Sequence, residues 1–240
     1  MQLTHRLITS LAIFSCVAFQ TIVAEVVLID FGVAGAQTAG NWNNVISRTD
    51  NKGNLINSEG DTTGISMTVS DGNFGGTNTF NGNVAADSTM FDPFEVASVI
   101  TDALYVAENG STGTLTFNGL DDSLTYNLVV TGARTTNTNR FTRYGVSGLN
   151  SQILQTSGNS PLAGVGVNWN NNSVVTFSGI SGVSSFSLTV EGNGAADFGG
   201  SNQFGYINAL ELRAVPEPTS LLLLGVSGLV AFSFVRRKRA

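Results

Sequence analysis

Three groups of side chains in this sequence could do chemistry on a ligand. Asn41, Trp42, Asn43 and Asn44 follow Gly40 in one polar stretch. An indole face stacks on the apolar face of a sugar, and carboxamides both donate to and accept from its hydroxyls. The cluster therefore reads either as a sugar platform or as an aromatic anchor that ties a loop to the core, and Trp169, followed by Asn170, Asn171 and Asn172, repeats it. Arg134, Arg140 and Arg143 lie close together in the chain. Their planar forks could clamp a carboxylate or a uronic acid, or each could pair with a neighbouring Asp or Glu. Asp30 and Glu211 would be neighbours if the first and last strands pair, and with loop carbonyls they could hold calcium, a cation that takes roughly six to eight oxygen ligands.

Other chemistries drop out by composition. The sole histidine, His5, and the sole cysteine, Cys16, both fall in the first 24 residues. The region after them can build no Ser-His-Asp or Cys-His machinery, no His or Cys metal site and no intramolecular disulfide. It also has no Gly-x-Ser-x-Gly elbow and no phosphate-cradling loop. No catalytic residue and no cofactor beyond calcium is therefore assigned, although a pair of carboxylates for glycoside hydrolysis is within the composition. Between Glu25 and Val215 there are 6 basic and 16 acidic residues, so that region carries 6 − 16 = −10 against −6 for the whole chain. Such a surface repels phosphate backbones and excludes nucleic acid as a partner.

The two ends read as targeting segments. His5 and Arg6, an apolar run from Leu7 to Phe19 and Ile22-Val23-Ala24 before Glu25 make residues 1–24 a secretory signal peptide. An uncleaved signal anchor, or a lipoprotein signal at Ile13-Phe14-Ser15-Cys16, is the alternative. At the other end, residues 220–235 form an apolar run of 16 residues, about 24 Å as a helix at 1.5 Å per residue, just long enough to span a membrane with its flanks. The basic cluster Arg236, Arg237, Lys238 and Arg239 acts as a stop-transfer signal and stays cytoplasmic, which leaves the domain outside. Pro216 and Pro218 hold the preceding linker extended, where a protease can reach its backbone.

Val215, Pro216, Glu217 and Pro218, the apolar span and the basic cluster resemble, in order and spacing, the PEP-CTERM sorting signal of exosortase substrates. The resemblance covers the last 26 residues, 215–240. It implies that a membrane-embedded exosortase-type protease recognises the Pro-Glu-Pro region, removes the helix after a transient membrane stage, and frees the domain for the cell envelope or extracellular matrix.

The whole chain's 28 glycines and only 12% charged residues favour, for the domain between, residues 25–214, short strands joined by polar turns. Period-2 alternation predicts strands near Val26 to Phe31, Gly64 to Ser70, Gly113 to Asn118, Thr125 to Gly132, Thr142 to Val146, Ser151 to Gln155, Ser173 to Ser178, Ser185 to Glu191 and Tyr206 to Arg213. The expectation is an all-β sandwich of roughly eight or nine antiparallel strands. Val96, Val99, Ile100, Ala103 and Leu104 at helical spacing predict one short helix within Phe94 to Ala107, and Ala34 to Thr63 reads as a long loop. Ile29-Asp30-Phe31-Gly32, Gly40-Asn41-Trp42-Asn43-Asn44, Leu124 to Leu128 with Gly132-Ala133-Arg134, and Gly205 to Glu211 resemble galactose-binding-like jelly rolls of carbohydrate-binding modules. That resemblance implies paired terminal strands and a sugar or calcium site in end loops. The functional expectation is a non-catalytic surface or matrix protein in an exopolysaccharide-rich envelope, with a carbohydrate-binding module centred on Trp42 as the alternative and a polysaccharide hydrolase as the third reading.

Overall fold

The computed structural model describes residues 25–70, 74–79, 94, 96–106, 111–134, 140–157, 174–192 and 204–215. The signal peptide 1–24, Trp169, Pro216 to Pro218, the transmembrane helix predicted at 220–235 and the basic cluster Arg236 to Arg239 lie outside the described residues. Among the described residues no helix is long and apolar enough to cross a membrane.

Alternation of side chains makes most of the strands. Leu115 and Phe117 alternate with Thr114 and Thr116, and Phe186, Leu188 and Val190 alternate with Ser187 and Thr189, so each strand buries one face. In chain order the strands are β1 (Val26–Phe31), β2 (Trp42–Val45), β3 (Ser66–Val69), β4 (Phe74–Thr79), β5 (Asp102–Val106), β6 (Thr112–Asn118) and β7 (Thr125–Thr131). They continue as β8 (Arg140–Val146), β9 (Gln152–Ser157), β10 (Val174–Ser181), β11 (Ser185–Gly192), β12 (Gly205–Ile207) and β13 (Ala209–Val215), with one helix, α1 (Ala97–Thr101), before β5.

Two five-stranded sheets form the sandwich, one in the order β10-β7-β13-β1-β2 and the other β3-β6-β11-β8-β9. Their facing sides fill one core. Val27, Ile29, Phe31, Leu128, Val130, Leu210 and Leu212 of the first meet Met67, Leu115, Phe117, Leu154, Leu188 and Val190 of the second. A third sheet, β12-β5-β4, adds Phe74, Leu104, Val106 and Ile207 to the same cluster. Phe117 and Phe186, opposite each other on β6 and β11, stack with centroids 4.9 Å apart.

The structure corrects the expected architecture in four places. The described residues hold thirteen strands in three sheets rather than eight or nine in two. The pairing is not all antiparallel, because β2 lies parallel to β1 with Leu28 opposite Trp42 and Phe31 opposite Val45. This strand sits inside the stretch read as a loop, its Asn-Asn centre masking it. Asn43 is inward-facing and serves as a hydrogen-bonding pin, its side chain donating to Leu28 O (3.0 Å) and Ile56 O (2.8 Å) and accepting from Ile56 N. The apolar segment read as one helix is split: α1 has five residues and no side-chain cap, and Ala103 and Leu104 belong to β5. Pairing of β5 on both edges, with β4 and β12, satisfies its backbone more fully than so short a helix would. Finally, the strand read as Tyr206 to Arg213 breaks at Asn208, where the chain crosses from the third sheet to the first.

β13 runs between β7 and β1, from Ala209 opposite Thr131 and Asp30 to Val215 opposite Thr125. The chain therefore ends its described part on a central strand. Truncating Phe117, which is wholly buried, should cost about 3–5 kcal/mol of stability. Chemical denaturation of Phe117→Ala is expected to show that loss with an unchanged slope, since the change leaves a cavity rather than a different unfolded surface.

Candidate functional site

The Trp42 cluster is engaged by the fold itself. Trp42 lies on the outward side of β2, half-buried, its ring 6.5 Å from that of Phe94. It packs on a second small apolar cluster of Phe94, Val99, Ile100 and Ala209 that covers this side of the first sheet. Asn41 donates to Ser58 O (2.8 Å), and Asn44 accepts from Thr38 N (2.7 Å) while donating to Thr38 O (2.9 Å). With Asn43 pinning Leu28 and Ile56, all three carboxamides fasten the segment after β1 to its neighbours.

Asp30 and Glu211 share the outward face of neighbouring strands, with Asp30 opposite Ala209 and Glu211 opposite Leu28. Glu211 accepts from Arg213 Nε at 2.8 Å. Asp30 instead faces a carboxylate that sequence reading missed, Asp102. Both are buried, at 1% and 0% exposure. Asp30 Oδ2 accepts from Thr38 N (3.1 Å), Asp102 Oδ2 accepts from Val33 N (2.6 Å), and Oδ1 of each has no partner. Gly32 makes the room, since a β-carbon there would lie 2.1 Å from Asp102 Oδ2. Asn208 closes the arrangement, donating to Asp102 O (2.6 Å) and accepting from Ala133 N (2.7 Å). Burial, reinforced by the charge of Asp102, pushes the Asp30 carboxyl up to about 7, and burial raises Asp102 to about 6. No group of three or more Asp, Glu, His or Cys side chains assembles among the described residues, so the described carboxylates by themselves supply at most part of a calcium shell. The one sequence signal for Asp102 is an acid set just before the largely apolar run Ala103 to Val106.

The three arginines separate into a pair and an outlier. Arg143 faces Glu191 at 3.3 Å, both partly exposed. Arg134, just past β7, and Arg140, the first residue of β8, converge on one acceptor, the hydroxyl of Tyr206: Arg134 Nη1 donates to it at 2.5 Å and Arg140 Nη1 also donates to it. Arg134 lies over the Tyr206 ring (5.5 Å), and Arg140 over the rings of Phe204 (4.8 Å) and Tyr206 (5.7 Å). Tyr206 is itself fixed, its N–H bonded to Thr142 Oγ1 (2.9 Å) and its carbonyl accepting from the Tyr144 hydroxyl. Burial, and then the charge of Arg134, pull the Arg140 pKa below its ordinary value. Sequence proximity was the signal for this cluster; the aromatic floor from β12 was invisible in it.

Starting within the last two residues of β13, residues 214–239 match the PEP-CTERM protein-sorting motif. The chain carries an exosortase sorting signal. That motif implies recognition by exosortase, a membrane protease, and with it export and sorting to the cell envelope. No curated protein matches the sequence. Among solved structures, the ANX2 ectodomain from Arabidopsis thaliana is similar at 14% identity with a TM-score of 0.50, over 81% of this chain and 50% of that one. The ANX1 ectodomain from the same plant aligns at 16% identity, with a TM-score of 0.44, over 59% and 39%. The CBM36-1 domain of a multidomain xylanase from the hindgut metagenome of Trinervitermes trinervoides aligns at 9% identity, with a TM-score of 0.32, over 64% of this chain and 99% of that domain. This chain spans half or less of the plant ectodomains' length. The ANX2 likeness shows a shared β-sandwich fold.

The Asp30 and Asp102 pair makes a pH prediction. A carboxyl whose folded pKa lies above the 3.8 of the free side chain binds protons more tightly in the folded state. Its stabilising contribution is complete below pH 3.8 and is lost as pH rises to about 7. The melting temperature should therefore fall across that window and level off above it. Asp121, exposed and held below its usual range by Ser123, acts in the opposite sense only at the acidic end. Asp30→Asn should flatten the profile between pH 4 and 7, roughly the window set by the raised pKa; a slope equal to that of the unaltered protein would refute the assignment.

Proposed function

We propose that this chain is a non-catalytic protein of the cell envelope or extracellular matrix. It is exported on the signal peptide 1–24 and held by the 220–235 span with Arg236 to Arg239 on the cytoplasmic side. An exosortase then cuts it at Val215-Pro216-Glu217-Pro218, and the jelly-roll domain is left in an exopolysaccharide-rich layer. The observation that carries this reading is the junction between the sorting motif and the fold. Val215 is the last residue of β13 and pairs with Thr125, and Pro216, which has no N–H to donate, follows at once. Cleavage beyond Val215 leaves every strand pairing of the described residues in place, so the released domain keeps that sandwich.

The non-catalytic reading draws support from the Asp30 and Asp102 pair. A glycoside hydrolase needs two carboxyls that face its substrate, whereas these are shut away from solvent. The carbohydrate-binding alternative at Trp42 draws less support, because its indole and all three carboxamides already serve the fold. Trp42→Ala is expected to cost about 1–3 kcal/mol of stability as a half-buried aromatic, and to leave retardation in polysaccharide affinity gels unchanged.

Intact-mass measurement of the protein recovered from its native envelope tests the sorting reading. The expected species begins near Glu25 and ends within or next to Pro216-Glu217-Pro218. A population still ending in Arg239-Ala240 would overturn it.

A further inference from the structure

Arg140 is a buried cation with no carboxylate partner among the described residues. It is 8% exposed, and its Nε has no hydrogen-bond partner. Beside it stands a second cation, Arg134, directed at the same Tyr206 hydroxyl. One neutral hydroxyl and two ring faces give far less compensation than a desolvated guanidinium loses on leaving water. Like charges held together inside a domain of charge −10 add to that cost. Nearby acids were available to the fold, since Arg143, three residues on, is matched with Glu191.

We propose that Arg140, with Arg134 beside it, is the receptor for a carboxylate carried by an extracellular polysaccharide, that is, for a uronate residue. The two planar forks stand side by side above the aromatic floor of Phe204 and Tyr206, and a carboxylate is the anion whose two oxygens fit such a fork. Tyr206 holds both guanidiniums in place before ligand arrives, which lowers the entropy lost on binding. The acidic remainder of the surface repels a polyanion only within a Debye length, about 8 Å at physiological salt, so the polymer engages through single uronate units rather than along its length. The inference rests on the envelope reading only for the identity of the polymer encountered.

The experiment is affinity electrophoresis of the exported protein, purified from its native envelope, in gels containing polygalacturonate, dextran sulfate or neutral dextran. Polygalacturonate is expected to retard it and neutral dextran is not. Arg134→Gln, at a half-buried position, and Arg140→Lys, which keeps the charge but loses the fork, should each weaken that retardation at least about tenfold while retaining the β-sheet circular dichroism signal. Absence of retardation, equal retardation by neutral dextran, retardation by dextran sulfate alone, or unchanged retardation in Arg134→Gln would each overturn the proposal. A protein correctly processed at Pro216 to Pro218 that fails to bind separates this failure from any failure of the sorting reading.

Discussion

The pairing of β13 between β7 and β1 is the constraint on which the rest of the structure depends. This last strand joins the first strand to the middle of the chain, and through it the outer strands β2 and β10 acquire a sheet to belong to. Its inward residues Leu210, Leu212 and Ala214 close the core, while Ala209 and Glu211 face outward. With no cysteine after Cys16 there is no covalent staple, so closure rests on burial and backbone pairing. Pairing the first strand with the last also makes the contacts non-local, a topology that folds slowly because long loops must close before the contacts reward it. The first sheet gains its central strand only when the chain up to Val215 is available.

Beside that seam, the chain from Phe204 to Ala209 does two jobs as it passes from the third sheet to the first. Tyr206 receives two arginines, and Asn208 joins Ala133 to the backbone of Asp102. Two clusters of charged side chains thus flank one short segment, Arg134 and Arg140 on one side and the buried Asp30 and Asp102 on the other. They do not neutralise each other. The Asp30 and Asp102 carboxyls meet burial by rising in pKa, an option closed to arginine, whose proton stays bound at any physiological pH. That asymmetry makes the arginine flank the place where an external anion has the most to offer.

The packing around Trp42 shows how an apparently ligand-like motif can be consumed by architecture. A parallel strand such as β2 cannot follow β1 through a tight hairpin, and the connection from Gly32 to Asn41 has no helix to stiffen it. Asparagine carboxamides take over the task, each holding backbone groups that no ladder satisfies. The fold therefore spends its most ligand-like residues on a connection that regular secondary structure leaves unsupported.

The sequence by itself determined the sorting motif, the all-β class, the main strands of both large sheets and the short list of chemistries that histidine and cysteine would have allowed. These are local or compositional properties: period-2 alternation in Leu115 and Phe117 or in Phe186, Leu188 and Val190 marks a one-sided strand wherever it ends up. It also brought Arg134 and Arg140 forward as neighbours. Tertiary structure alone decided the rest. β2 and β5 exist because partners satisfy their backbones, although the stretch around Asn43-Asn44 read as a loop and the spacing of Ala103 and Leu104 as part of a helix. Asp102 became the companion of Asp30, and Tyr206 the common acceptor of two arginines, through contacts about 70 residues apart in the chain. Pairwise desolvation has no signature in a linear pattern, because it depends on which surfaces the sheets press together.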